Sequence, residues 1–278
     1  MAVRVDSSTG TEERLEHVET ARGSLYTWTA RPLQAQGCVL ICSSIFGDFT
    51  ANYHRERNLG RALAARGVGA IRFHYSGEGN SHGERQQMTF GTLCDDAAVM
   101  IEHAQSLGFT QLAVAGTRLG GLVAAATAAS IPLAPLAIWE PVTDPLRFLT
   151  EAQRAKRISQ VAQEKAEELA DWRQELRQKG RLDLLGYDVY EPMIDSLAGL
   201  NLVDLVGAPP RSIFLGRFGG SVPATDLLAD SLRGRGFSVD TAAFGLSESW
   251  WFHNEFVSDS GNLISATCDW LEKETGRP

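Results

Sequence analysis

The chain alternates short apolar-rich runs with amphipathic stretches of helical period. The runs lie at 37–43 (GCVLICS), 68–75, 112–115 (LAVA), 136–139, 212–215 and 237–243. Each is short for a helix and is bounded by glycine or polar residues, so each predicts a buried strand. Between them, residues 51–66, 90–107, 120–129, 224–233 and 261–274 are predicted helices. The clearest stripe is Leu93, Ala97, Met100, Ile101 and Ala104, which share one helix face. Residues 12–19 and 24–30, joined by Ala21-Arg22-Gly23, predict a leading hairpin.

Strands that alternate with helices imply an α/β protein with a mainly parallel sheet covered on both faces. Ligands in such sheets bind beyond the carboxyl ends of the strands. The informative loops are therefore those after Ser43, Tyr75, Ala115, Trp139, Leu215 and Ala243. Residues 145–205 break the alternation. A charged stretch with Ile158, Val161, Leu169, Trp172 and Leu176 near helical spacing is followed by LLGYDVYEPMIDSLAGLNLVD. This predicts an inserted helical cap at 145–205 on a core formed by 1–144 and 206–278.

Composition narrows the function classes. With 278 residues, 44% hydrophobic and 22% charged, the chain suits one globular unit with an insertion. A net charge of −8 argues against nucleic acid or an anionic membrane as partner. No apolar signal core stands at the start, and no run approaches the ~18 apolar residues of a membrane span; the expectation is a cytoplasmic protein. Cys38, Cys42, Cys94 and Cys268 lack zinc-site spacing and read as free thiols. Gly77-Glu78-Gly79-Asn80-Ser81 lacks the third glycine of a dinucleotide loop. The sequence thus implies neither metal nor cofactor.

The stretch that carries chemistry is LAVAGTRLGGLVAAATAA, residues 112–129. An apolar run meets Gly116-Thr117-Arg118-Leu119-Gly120-Gly121, and an alanine-rich helix follows. This is the layout of the G-x-S-x-G turn that lifts a serine above a sheet, with Arg118 in the place of the serine. With the leading hairpin, the strand order and the position of the cap, the sequence resembles the α/β-hydrolase fold over nearly its whole length. It is also similar to hydrolase-like proteins encoded with bacterial exosortase systems. The matching pieces are GTRLGG, RFHYSGEGNSHGE and LLGYDVYEPMIDSLAGLNL.

A guanidinium cannot attack a carbonyl. Two readings of Arg118 stand side by side: a structural salt bridge with Glu140, and recognition of a carboxylate or phosphate at a helix N-terminus. Ser43, Ser44 and Ile45 form the loop that the resemblance assigns to one oxyanion-hole amide, and Leu119 would supply the other. Glu140 is the candidate acid, because SIFLG is followed by Arg217 and no carboxylate appears before Asp226. His253, in GLSESWWFHNEF, is the candidate base, with Trp250 and Trp251 lining an apolar pocket. Three functions fit. One is a non-hydrolytic proton transfer on an anionic small molecule, acyl or peptide substrate in a biosynthetic pathway. The second is a non-catalytic accessory protein, a pseudo-hydrolase, and a homodimer is compatible with either. The third is an esterase or thioesterase with a displaced nucleophile such as Ser44.

Overall fold

The computed structural model describes residues 2–6, 10–162, 172–184, 186–218, 223–244 and 260–275. The chain opens with β1 (Ala2–Asp6), β2 (Thr11–Thr20), β3 (Gly23–Arg31) and β4 (Gly37–Cys42). Then come α1 (Gly47–Ala65), β5 (Gly69–Phe73), α2 (Phe90–Ser106), β6 (Gln111–Thr117), α3 (Gly120–Ala129) and β7 (Leu136–Trp139). After an insertion follow β10 (Ser212–Phe218), α8 (Pro223–Gly234), β11 (Ser238–Phe244) and α9 (Gly261–Thr275). The insertion contains α4 (Pro145–Ala162), α5 (Trp172–Lys179), β8 (Arg181–Leu184), β9 (Tyr187–Tyr190), α6 (Glu191–Leu197) and α7 (Leu202–Leu205).

One sheet of nine strands runs in the order β1-β2-β3-β5-β4-β6-β7-β10-β11. The first three pairings are antiparallel and the other five are parallel. The strands are apolar on both faces because both faces are covered. Leu40, Val114 and Leu136 pack with α2 and α3 on one side. Val39, Ile41 and Ala113 pack with Leu59 and Leu63 of α1 and with Leu263 and Leu271 of α9 on the other. Cys38, Cys42 and Cys268 are buried in these layers and all four thiols are free. No helix among the described residues is long and apolar enough to cross a membrane.

Two parts of the chain differ from the sequence expectation. β1 extends the leading hairpin to three strands, with Val3 opposite Arg14 and Val5 opposite Glu12. The insertion is not purely helical, since β8 and β9 pair antiparallel, with Leu182 opposite Val189. Those two residues are buried while their neighbours Asp183 and Asp188 face outward, the alternation of a half-buried hairpin. Met193, Leu197 and Leu202 of the insertion join the same apolar cluster as α2 and α3.

The sheet positions the site. Pairing puts Cys42, Gly116, Ile138 and Leu215 in one row across β4, β6, β7 and β10. The loops that leave these strands therefore start at one level. Chain direction across the sheet reverses beside β4, whose sequence neighbours β5 and β6 flank it. Such a switch point opens the crevice that α/β sheets use for ligands.

Candidate functional site

Three consecutive strand ends carry strain. Phe46 after β4 has φ 59°, Arg118 after β6 has φ 55° and Glu140 after β7 has φ 49°. Only one other non-glycine residue among those described, Leu133, is left-handed. Backbone of this kind costs on the order of 1–3 kcal/mol per residue and clusters at functional sites. The glycines beside Arg118 explain how the turn closes. A Cβ on Gly116 would lie 2.5 Å from the Gly120 carbonyl, and one on Gly121 would lie 2.6 Å from Ile138 Cγ2. At Gly120 it would meet the Ser43 and Cys42 carbonyls. The Arg118 amide donates to the Trp139 carbonyl at 2.9 Å, tying the turn to the adjacent strand.

The Arg118 side chain is buried and turns toward α1. Its Nε donates to Asp48 Oδ2 at 3.3 Å, and its guanidinium lies 5.1 Å from the centre of the Phe148 ring. The ion-pair partner is thus Asp48, in the first turn of α1, and not the expected Glu140. Glu140 is aimed instead at the end of β10. Its Oε1 accepts the Phe218 amide at 2.5 Å, and its Oε2 lies 3.9 Å from Arg217 Nη2. Burial raises the Glu140 pKa, while the Phe218 amide, Arg217, Arg118 and Arg55 pull it back down. Arg55 of α1 is itself buried, stacked 4.8 Å over the Phe218 ring, with Nη1 donating to Asn52 at 3.1 Å. Burial lowers its pKa against the pull of Glu140 and Glu56. Three guanidiniums and two carboxylates therefore gather at the ends of β4, β6, β7 and β10.

Ser43 and Ser44 are not presented as substrate-binding side chains. Both are fully buried. Ser43 Oγ donates to the Phe73 carbonyl at 3.5 Å. Ser44 Oγ lies 2.9 Å from Glu56 Oε1 and 3.0 Å from the Asp48 carbonyl, and the Ser44 amide donates to the same Glu56 oxygen at 2.8 Å. These hydroxyls fix the loop after β4, and the Ser44 hydroxyl, the candidate displaced nucleophile, is buried against Glu56 and the Asp48 carbonyl. The side chains of Ile45 and Leu119 are also buried. Their amides are another matter: no hydrogen bond among the described residues uses either one. Two main-chain donors thus flank the strained turn where the resemblance expects an oxyanion hole. His253, Trp250 and Trp251 lie outside the described residues.

Nothing in the sequence pattern marks Asp48, Arg55 and Glu56. The helical period of α1 marks Leu59, Ala62 and Leu63, whereas Arg55 and Glu56 are buried by contacts with remote strands and Asp48 stands half-buried in the first turn.

The loop after β5 holds one further buried acid. Glu78 has no hydrogen-bond donor among the described residues, and Arg85 Nε is 3.6 Å away. Burial pushes its carboxyl up to about 7 from 4.5. The folded protein therefore favours the neutral form. Stability is undiminished below the unfolded pKa, falls as pH rises past it, and has lost its full share above about pH 7. The shift corresponds to roughly 3 kcal/mol. Glu78→Gln is expected to stabilise the protein by up to that amount at pH 8 and to change little at pH 4. Urea melts of both proteins at the two pH values measure it, and equal gains at both would contradict the burial argument.

Comparison with known proteins comes down to the fold. No protein-family model matches the chain, and no curated protein sequence matches it. Solved structures do match. Est1E from Butyrivibrio proteoclasticus, with ferulic acid bound, superposes with TM-score 0.67 at 14% identity, over 93% of this chain and 98% of that one. A Pyrococcus furiosus esterase gives 0.61 at 12% identity, over 97% and 95%. Mouse alpha/beta hydrolase domain-containing protein 10 gives 0.59 at 17% identity, over 94% and 99%. Sheet order, the strained strand-to-helix turn and these near-complete superpositions agree: the chain has the α/β-hydrolase fold.

Proposed function

We propose that this protein recognises an anionic small molecule, or the anionic end of an acyl or peptide substrate, at the turn after β6, without acyl-serine chemistry. The observation that carries the reading is the left-handed arginine, Arg118, at the apex of a turn whose glycines and strand pairing are those of a nucleophile elbow. The unused amides of Ile45 and Leu119 support it, because donors buried without an acceptor are costly unless a ligand supplies one. Asp48 holds the Arg118 guanidinium in place, and Arg55 and Arg217 add positive potential around it. The structural neighbours that are esterases act on acyl compounds, which agrees with a carboxylate or acyl oxygen as the recognised group.

A second reading, proton transfer by Glu140, is favoured by its raised pKa beside this cluster. A buried carboxyl whose pKa is raised is a better proton acceptor than a solvated one.

The expected outcome with a fluorophosphonate probe and p-nitrophenyl acyl esters is no covalent labelling and no burst of p-nitrophenol. Labelling of any serine would overturn the proposal. Calorimetric titration with aliphatic carboxylates from acetate to octanoate then tests recognition. Arg118→Gln should weaken binding by at least about tenfold, the scale of a charge-assisted hydrogen bond. Unchanged binding in a variant that still melts cooperatively would leave Arg118 a purely structural ion pair.

A further inference from the structure

A cavity of about 350 Å³ lies between α1 and the antiparallel end of the sheet, and none of the residues at the elbow lines it. Its volume is in the range of small-molecule sites, roughly 300–1,000 Å³. The sequence builds it from two periodicities. Tyr53, Arg57 and Arg61 follow at i, i+4 and i+8, so α1 turns one stripe toward the sheet. Leu15 pairs with Trp28, and Trp28 with Arg72, so these three side chains share the opposing face.

The charge in this cavity runs against that of the chain. Arg4, Arg57, Arg61 and Arg72 line it, with Glu13 as its carboxylate. Arg61 takes Glu13 at 3.3 Å, and Arg72 takes Glu56 at 3.2 Å. Among the described residues no carboxylate lies within ion-pair distance of Arg4 or Arg57, in a protein whose net charge is −8.

Arg57 Nε is buried and has no acceptor among the described residues, whereas Arg72 Nη2 faces Glu56 Oε2 at 3.2 Å. His74 Nδ1 accepts the Asn80 amide at 3.0 Å, which puts the ring proton on Nε2. Burial and the neighbouring Arg72 hold this imidazole neutral, with a pKa of about 3. Its Nε2 lies 3.5 Å from Arg72 Nη1. Two donors therefore face each other, and a third is idle on Arg57. A group rich in acceptors resolves that arrangement. Oxyanions are all acceptor, and guanidiniums bind them in a bidentate fork. Trp28, Leu15 and the partly exposed Val3 offer an apolar wall beside the donors. Tyr53 holds the Arg72 guanidinium in orientation, 4.2 Å from its ring centre.

The geometry points to a second ligand site in this cavity, for an organic oxyanion, a phosphate or carboxylate on an aromatic or apolar body. The head group sits among Arg57, Arg72 and His74, and the body lies along Trp28 and Leu15. The site is separate from the one proposed at the elbow.

Phenyl phosphate, benzoate, inorganic phosphate and benzyl alcohol, titrated calorimetrically into the intact protein, test it. Phenyl phosphate or benzoate should bind more tightly than inorganic phosphate and benzyl alcohol, and the better of the two identifies the head group. Arg57→Gln should weaken that binding at least tenfold with an unchanged melting temperature, since Arg57 makes no ion pair among the described residues. Arg118→Gln should leave the Arg57-dependent binding unchanged. Absence of binding by the wild type at millimolar ligand would overturn the proposal, as would affinity indifferent to Arg57→Gln. Loss in Arg118→Gln alone would move the site to the elbow and would equally overturn it.

Discussion

Gly120→Ala is expected to unfold the protein or to cost it at least about 3 kcal/mol, the upper range for forced overpacking. The added Cβ would meet the Ser43 carbonyl and lie 2.5 Å from the Cys42 carbonyl. Both are main-chain atoms at the end of β4, and Ser43 leads into a loop already fixed by Glu56. Neither can yield as a flexible side chain would. Relief requires α3 to lift from β4, which pulls Leu122 and Val123 from the core. The elbow would open with it, so the variant should also lose any ligand bound there. Gly234→Ala is the control. It stands at the end of α8, with nothing within 4 Å of the new Cβ. There alanine is expected to stabilise by about 0.5 kcal/mol through helix propensity and chain entropy. Urea unfolding of the two variants measures the contrast. Comparable midpoints would mean that α3 does not depend on close approach to β4.

That contrast marks where the sequence is legible. GTRLGG announces the turn because close packing at an elbow can be met only by glycine, and the demand is local. The parallel strands are legible for a related reason: β4 and β6 are buried on both faces, so their apolar runs are nearly unbroken. β1 is not legible, because it is an edge strand whose Val3 and Val5 are 48% and 63% exposed. Five residues of AVRVD carry too little pattern to stand out. The β8–β9 hairpin is hidden in the same way, with four-residue strands embedded in charged sequence. The site is legible only at its apex. Arg118 can be read from spacing, but its partner Asp48 is seventy positions away. The pattern of α1 marks its apolar stripe and gives no sign that Arg55 and Glu56 are buried. That burial is created by the ends of β4, β5 and β10, so it is a property of tertiary structure.

Glu56 is where that hidden charge has the largest consequence. Its side chain is fully buried and every contact it makes is to a donor. Oε1 takes the amide and hydroxyl of Ser44, and Oε2 takes Arg72 Nε at 3.2 Å. Glu56→Gln keeps the shape but turns one acceptor into a donor and removes the charge. In either orientation the buried Arg72 guanidinium loses its counterion; if the amide NH2 faces Arg72 it also sets donor against donor, and if it faces Ser44 the loop after β4 loses its anchor. Removing one partner of a buried ion pair costs about 3–5 kcal/mol, chiefly from the charge left behind. The exposed pair Arg147–Glu151, with its 3.2 Å contact on α4, should lose no more than about 0.5 kcal/mol when Glu151 becomes Gln. The double variant Glu56→Gln with Arg72→Gln should recover part of the loss, because it removes the uncompensated cation as well. Midpoints of urea unfolding at constant slope give all three numbers. Were Glu56→Gln to cost no more than the exposed pair, the loop beside the elbow would be held by something other than this carboxylate. If it costs the larger amount, the same variant should also bind carboxylates at the elbow more weakly, because the Ile45 amide is positioned by the loop that Glu56 anchors.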